Sequence, residues 1–271
     1  MKILWIGGNH PRHLYYLNRI RRDFDIAGAI LEIREEIIPS PPEGTGKADR
    51  SNFIRHFAGR EKAEGRYFGR QALPDCPRHD VIRASGVAED LNSPESAEFV
   101  RRIAPDIALI FGCSLIKDPL KSALPPLTVN LHLGLSPWYR GGATLFWPFY
   151  FMEPNFAGST FHFIVNEPDA GDIIHQSVPE LSSEDGIHDV ACKTVVASSE
   201  DAVRLLKIAA AGGRWDRYRQ KGTGKNFLRS DFRPEHLRVI YNVFNDDMVR
   251  HFLDGNIKTR QLKLVRQFQA K

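Results

Sequence analysis

Cysteine is scarce in this chain: three in 271 residues, at Cys76, Cys113 and Cys192. An odd, widely spaced set offers neither a disulfide framework nor the paired spacing of a zinc site. A reducing compartment is the simplest expectation. Long hydrophobic runs are also lacking; none approaches the ~18 apolar residues of a membrane span. The run Ile3 to Ile6 is too short for a secretory leader and is broken at once by GGNHP. A soluble, cytoplasmic protein with no membrane partner is therefore expected. Clustered metal ligands are missing, so no metal is expected. Charge of one sign is missing too: 37 Lys and Arg against 33 Asp and Glu leave a net +4. That excess suits an anionic small molecule and is too weak and scattered to argue for nucleic acid.

What is present is ordinary globular composition, 42% hydrophobic and 26% charged. KILWIGG reads as a short buried strand. PRHLYYLNRIRRDF has helical spacing at Leu14, Leu17 and Ile20, and IAGAILEI reads as a second strand. Residues 40–65 read as a long excursion, partly loop, with a short amphipathic piece. SPESAEFVRRI predicts a helix with Ser93 as its cap and Pro94 at its first position. The strands DIALIFG, LTVNLHLG, GSTFHFIV and DIIHQSVPEL follow. A long helix then stops at Gly212 and Gly213. The expected fold is α/β, a Rossmann-like, mostly parallel sheet with helices on both faces. After Gly213 the chain turns basic and aromatic. Pro234 opens a predicted helix with Leu237, Ile240, Tyr241 and Phe244 on its apolar face, and Met248, Phe252 and Leu253 continue on a second piece. The organisation expected is a catalytic region over 1–213 and a small helical extension over 214–271.

VNLHLGLSPWYRGG, residues 129–142, carries the chemistry. Residues two apart on a strand share a face, so Asn130 and His132 project side by side. In open parallel sheets the ligand crevice lies at the strands' C-terminal ends. An amide there can hold an oxyanion and an imidazole can take a proton from an attacking amine, which together suit acyl transfer. A carboxylate would favour the imidazolium and fix its ring. Asp169, in a Pro-Asp-Ala-Gly turn, and Asp172 are the two candidates. His162 falls opposite Phe161 and Phe163 on its strand and reads as structural or partly exposed. Cys113 reads as a small apolar filler.

The combination of N-x-H, Pro, Y-R-G and a later D-x-G-x-I resembles the folate-dependent formyltransferases. The likeness spans roughly residues 1–213, most specifically 106–175. The family typically reads N-x-H-P-S-L-L-P-x-Y-R-G; here Leu133 replaces the proline, Gly134 the serine, and Ser136 precedes Pro137. The resemblance implies that Asn130, His132 and Asp169 are the catalytic set, Asp169 being the aspartate followed by x-Gly. It implies 10-formyltetrahydrofolate as cosubstrate, with Ser114, Leu115 and Ile116 along the pterin slot, Ser136 and Pro137 at its turn, and Val165 and Asn166 on the approach to Asp169. By the same resemblance Gly8, Asn9 and His10, in the GGNHPR turn, and Arg140 are candidates to meet the acceptor. The aromatic run after Y-R-G offers Trp147, Phe149 and Phe151 to a core or to an acceptor wall. Compared with the family's tRNA and purine enzymes, the helical tail favours a nucleotide-linked 4-amino-4,6-dideoxy sugar as acceptor, destined for surface polysaccharide such as lipopolysaccharide O-antigen. Methionyl-tRNA and glycinamide ribonucleotide are alternative acceptors, and a formyltetrahydrofolate hydrolase is an alternative activity. A homodimer through the C-terminal extension is a further expectation.

Overall fold

The computed structural model describes residues 1–34, 39–83, 90–221 and 224–268. Its first half runs β1 (Ile3–Gly8), α1 (Pro11–Ile20), β2 (Ile26–Arg34), α2 (Lys47–Phe68), β3 (Arg78–Arg83), α3 (Pro94–Ile103), β4 (Ile107–Phe111) and α4 (Leu120–Ala123). Its second half runs β5 (Thr128–His132), β6 (Tyr139–Gly141), α5 (Trp147–Tyr150), β7 (Ser159–Phe163), β8 (Ile173–Ser177), α6 (Ile187–Ala210), β9 (Lys225–Phe227) and α7 (Met248–Leu253).

The layering follows from β1, whose six residues are all buried. Ile3 and Trp5 join one core with Leu14, Leu17 and Ile20 of α1 and Val195, Leu205 and Leu206 of α6. Leu4 and Ile6 join another with Phe99 and Val100 of α3 and Leu120 of α4. Side chains alternate across a strand, so a strand covered on both faces must be apolar throughout. Seven strands form one sheet in the order β3-β2-β1-β4-β5-β7-β8. The first five are parallel, and β7 and β8 add antiparallel. This is the mostly parallel α/β sheet expected.

Local signals read as expected at α3, where the Ser93 side chain accepts the Ser96 N–H at 3.2 Å. At α6, Gly212 follows the helix with φ +76°. The excursion over 40–65 differs from expectation. It contains the 22-residue α2 rather than a short amphipathic piece. The residues α2 buries are largely polar, with Phe53, Ala63 and Phe68 among them: Asp49 binds Arg238, Asn52 donates to the Asn242 side-chain oxygen, His56 meets Tyr241, and Glu64 binds Arg12. Hydrophobic periodicity is blind to such a face.

Residues beyond 213 build onto the same body. β9 pairs in parallel with β6, Tyr218 bridges Ile173, and the Val265 carbonyl accepts the Gln176 N–H on β8 while the Val265 N–H donates to the Gln176 side-chain oxygen. A third core joins Leu135, Phe146, Trp147 and Phe149 with Leu237, Ile240, Tyr241, Met248 and Val249. Residues 234–243 are helical but irregular, a 3₁₀ turn followed by a π-helical turn over Val239–Val243. Leu237, Ile240 and Tyr241 are buried as their spacing predicts.

Candidate active site

β5 and β7 bring the site together through their register. Asn130 lies directly opposite His162, and His132 opposite Thr160. Val129, Leu131, Phe161 and Phe163 fill the α1–α6 core, so Asn130, His132 and His162 share the other face. Directly opposed side chains on one face are close enough to bond. Asn130 Nδ2 lies 3.0 Å from His162 Nε2, and His162 Nδ1 lies 2.9 Å from the Phe163 carbonyl. With Nδ1–H donating to that carbonyl, Nε2 accepts an N–H of Asn130. The amide is thereby oriented, and its second N–H is left for a ligand oxygen.

Asp169 arrives from the turn between β7 and β8. Its backbone has φ +52°, a left-handed conformation uncommon for a residue with a Cβ. One carboxylate oxygen lies 3.3 Å from His132 Nδ1 and accepts the Gly141 N–H at 3.0 Å; the other lies 3.4 Å from His162 Nε2. Asp172 instead accepts through its backbone carbonyl from Phe163. Burial opposes ionisation of Asp169, yet His132 and the Gly141 N–H outweigh it and hold its carboxyl well below the usual range. Burial pushes the His132 pKa down, against the upward pull of Asp169 and of the Tyr139 carbonyl, which Nε2 meets at 2.9 Å. Gly134 gives this ring its room. A Cβ there would fall 2.5 Å from His132 Nε2 and 2.6 Å from the Tyr139 oxygen. That is the physical reason a serine would not fit at this position.

Next to the Asp169 turn opens a cleft of 610 Å³, lined among others by Lys121, Thr128, Pro137, Arg140, Val165, Ala170 and Gln220; Asn130, His132 and Asp169 lie behind this lining rather than in it. Two lining residues carry buried polar atoms without a hydrogen-bond partner, Arg140 Nε and Gln220 Oε1. Such atoms are costly unless a ligand or water satisfies them, so they mark the cleft edge as built for a polar occupant. Its cations Lys121, Arg140, Arg217 and Arg219 outnumber the acids Glu167 and Asp172. A second groove of 540 Å³ carries Trp147, Phe151, Phe227 and His236 with Lys225 and Arg233. Trp147 and Phe227 stack at 4.5 Å, and Lys225 lies 5.1 Å over the Phe151 ring.

The structure thus assembles Asn130, His132 and Asp169. Pro137, Val165 and Arg140 line the cleft, and Asn166 is bound by Lys121. Ser136 is buried next to Pro137, with its carbonyl bonded to Gln176. Ser114, Leu115 and Ile116 do not line the cleft. The Ser114 N–H donates to Glu32, the Leu115 carbonyl accepts from Asn92, and Ile116 packs with Leu4 and Ile110. Gly8, Asn9 and His10 are likewise not among its lining. Gly8 and Gly112 make room for the His13 ring, and His10 stacks on His13 while bonding Arg12. Trp147 and Phe149 are core residues, whereas Phe151 is exposed at the second groove. Of the two readings of His162, structural or partly exposed, exposure is excluded: it is buried, 3% exposed, and touches both Asn130 and Asp169. Alternation correctly placed it opposite the phenylalanines, but β7 is covered on both faces. Only the pairing register, which spacing does not reveal, puts it against Asn130. No group of three or more metal-ligating side chains is poised around a common point among the described residues. No helix among them is long and apolar enough to cross a membrane.

Comparison with known proteins gives this geometry a context. Residues 51–205, more than half of the chain, match the model of the family described as formyl transferase. The chain belongs to the formyl transferase family. The methionyl-tRNA formyltransferase of Chlorobium phaeovibrioides is 28% identical over 124 residues, 46% of this chain and 39% of that protein. The chain spans about two fifths of the length of the curated relatives it matches. The N-formyltransferase of Helicobacter canadensis, solved with folinic acid and dTDP-3-aminofucose, superposes with a TM-score of 0.56 at 15% identity, over 94% of this chain and 82% of that one. PseJ of Anoxybacillus kamchatkensis, solved with UDP-4,6-dideoxy-4-formamido-L-AltNAc and tetrahydrofolate, gives 0.50 at 14% identity, over 92% and 97%. Phosphoribosylglycinamide formyltransferases share the fold as well. At these identities the likeness is one of fold.

Proposed function

We propose that this protein moves a formyl group from 10-formyltetrahydrofolate to the amine of a nucleotide-linked 4-amino-4,6-dideoxy sugar. The observation that carries formyl transfer is the joining of an oriented amide, Asn130, and a carboxylate-backed imidazole, His132, next to a polar cleft whose lining includes Thr128, Arg140 and Ala170, neighbours of the three residues in the chain. The folate cosubstrate supplies the formyl carbon and an arylamine leaving group. Pro137, Arg140 and Val165 would hold it, with the cleft cations facing its carboxylates. The free N–H of Asn130 holds the oxyanion that develops on the formyl oxygen. His132 takes the proton of the attacking amine, which must arrive neutral, Asp169 stabilises the imidazolium, and the proton passes to the folate arylamine nitrogen as its bond to the formyl carbon breaks. Catalysis requires Nε2 or Nδ1 of His132 to exchange its present partner for the substrate.

The second groove supports the acceptor class. Phe151 and His236, backed by the stacked Trp147 and Phe227, suit a nucleobase, and Lys225 and Arg233, against the single acid Asp231, suit a diphosphate. Two neighbours of the same fold were solved with sugar nucleotides. The curated relatives, named for methionyl-tRNA, favour the competing acceptor. One experiment separates them: tetrahydrofolate release from 10-formyltetrahydrofolate with nucleotide-linked 4-amino sugars, glycinamide ribonucleotide, charged initiator tRNA, or no acceptor. Turnover with one amino sugar alone is the expected result. Salt-sensitive turnover with tRNA would overturn the acceptor, and formate release without any acceptor would make the protein a hydrolase.

A further inference from the structure

Gln220 lies outside the stretch that matches the family and belongs to the basic run after α6. Tyr218, two residues earlier, bonds in both directions with Ile173 at the start of β8, which fixes where this run crosses the sheet edge. From there the Gln220 amide reaches the turn that carries Asp169. Its Nε2 donates to the Asp169 carbonyl at 2.7 Å and to the Gly171 carbonyl at 2.8 Å. Both N–H groups are therefore spent on one turn. That turn holds a residue with a Cβ in the left-handed region, a conformation that persists only where surroundings enforce it. Gly171 is packed so closely on β7 that a Cβ would strike the Phe163 carbonyl. The turn is thus pressed from the sheet side and tied from the outer side by Gln220.

We propose that Gln220 is a positioning residue for the carboxylate of Asp169, acting from the C-terminal segment on the pairing of Asp169 with His132. The Asp169 carboxylate sits 3.3 Å from His132 Nδ1, at the outer limit of a useful bond, so a small rotation of the peptide behind it breaks the pair. The remaining end of the amide, Oε1, is buried without a partner in the wall of the 610 Å³ cleft. It is placed to accept an N–H from whatever fills that cleft. Occupancy of the cleft and the geometry of the Asp169 turn are then coupled through one side chain. The role as carboxylate holder stands on the two bonds from Gln220 to the Asp169 turn; the coupling to the folate rests on the formyl-transfer reading.

The test compares wild type with Gln220→Ala and with Gln220→Met, which keeps the length and removes the donors without adding charge. Arg214→Ala, an exposed change on the same segment, is the control. Two readouts are needed. In formyl transfer, kcat falls about 10- to 100-fold in both variants while KM for 10-formyltetrahydrofolate rises, since a catalytic group displaced by about 1 Å costs that much. Independently of activity, nitrogen-detected NMR titration of the His132 ring reports its pKa. Asp169 raises it, His162 and Arg140 lower it, and burial lowers it most. Loosening Asp169 must therefore move it down. A lower His132 pKa in both Gln220 variants and an unchanged one in the Arg214 variant is the expected result. An unmoved His132 titration in variants that melt as wild type does would overturn the proposal, whether or not the wild type transfers formyl groups. Absence of formyl transfer in the wild type, with the His132 shift present, would overturn the functional reading and leave Gln220 in its role.

Discussion

His132 and His162 gather around a carboxylate; His56 and His188 gather around a phenol. In the second cluster the rings lie 4.5 Å apart, and Tyr241 Oη sits 2.9 Å from His56 Nδ1 and 3.5 Å from His188 Nε2. All four imidazoles are buried. Burial drives the His188 pKa to about 4, with Arg60 adding to the effect, and drives His56 well below its ordinary value. Burial also lowers His132, but there Asp169 pulls the other way. The difference teaches what a carboxylate does: the same residue, equally dry, becomes a supported base in one place and a neutral packing group in the other.

The comparison can be broken most severely at His132. His132→Ala should lower kcat/KM for formyl transfer by about 10²- to 10⁴-fold, the usual contribution of a positioned general base. His188→Gln should leave it within about threefold, a surface-like effect for a group remote from the chemistry. Equal losses would erase the distinction between the clusters. The next effect is on stability. A histidine whose folded pKa lies below its unfolded value binds fewer protons when folded, so stability rises with pH through that window. For His188 the full contribution is present above about 6.5 and is lost as pH falls toward about 4. The loss for this one group is about 3 kcal/mol by the usual conversion. Urea unfolding at pH 7.5 and pH 4.5 measures it, and His188→Gln should flatten the difference; an unchanged slope in that variant would contradict the assignment.

Smaller effects sharpen the same contrast. Gly134→Ser pushes on the His132 ring and the Tyr139 carbonyl, and should cost about tenfold in kcat with little change in KM, as misplacement of a positioned group does. A rate equal to wild type would show that the ring has room to spare. Tyr241→Phe removes the hydroxyl between His56 and His188 and should destabilise by about 1 kcal/mol, a typical net hydrogen bond, without touching the rate. A change in rate there would join two clusters that the structure keeps apart.

Much of the site was legible because its parts are local. Asn130 and His132 lie two apart on one strand, and the turn residues Pro137, Arg140 and Gly141 follow within ten positions. Ser93 and Gly212 announced their helix ends in the same local way. What stayed hidden depends on long-range register. His162 meets Asn130 only because β7 pairs antiparallel with β5, and Gln220 meets Asp169 only because its segment crosses β8. α2 was hidden for another reason: residues Asp49, Asn52, His56 and Glu64 make a buried face out of ion pairs and hydrogen bonds, which reads as solvent-facing. The three-residue ribbon of β6 and β9 is too short to carry any period.

The most direct test of the account is the pH dependence of formyl transfer in wild type and in Asp169→Asn. The wild-type rate should fall on the acid side, with its midpoint below the ordinary histidine value of 6.5, as protonation removes the base at His132. Asp169→Asn should lower the plateau by about a hundredfold or more and move that midpoint to still lower pH, because the charge that favours imidazolium is gone. A flat wild-type profile, or a midpoint that does not move when Asp169 loses its charge, would contradict the pairing of Asp169 with His132 as the working centre of this protein.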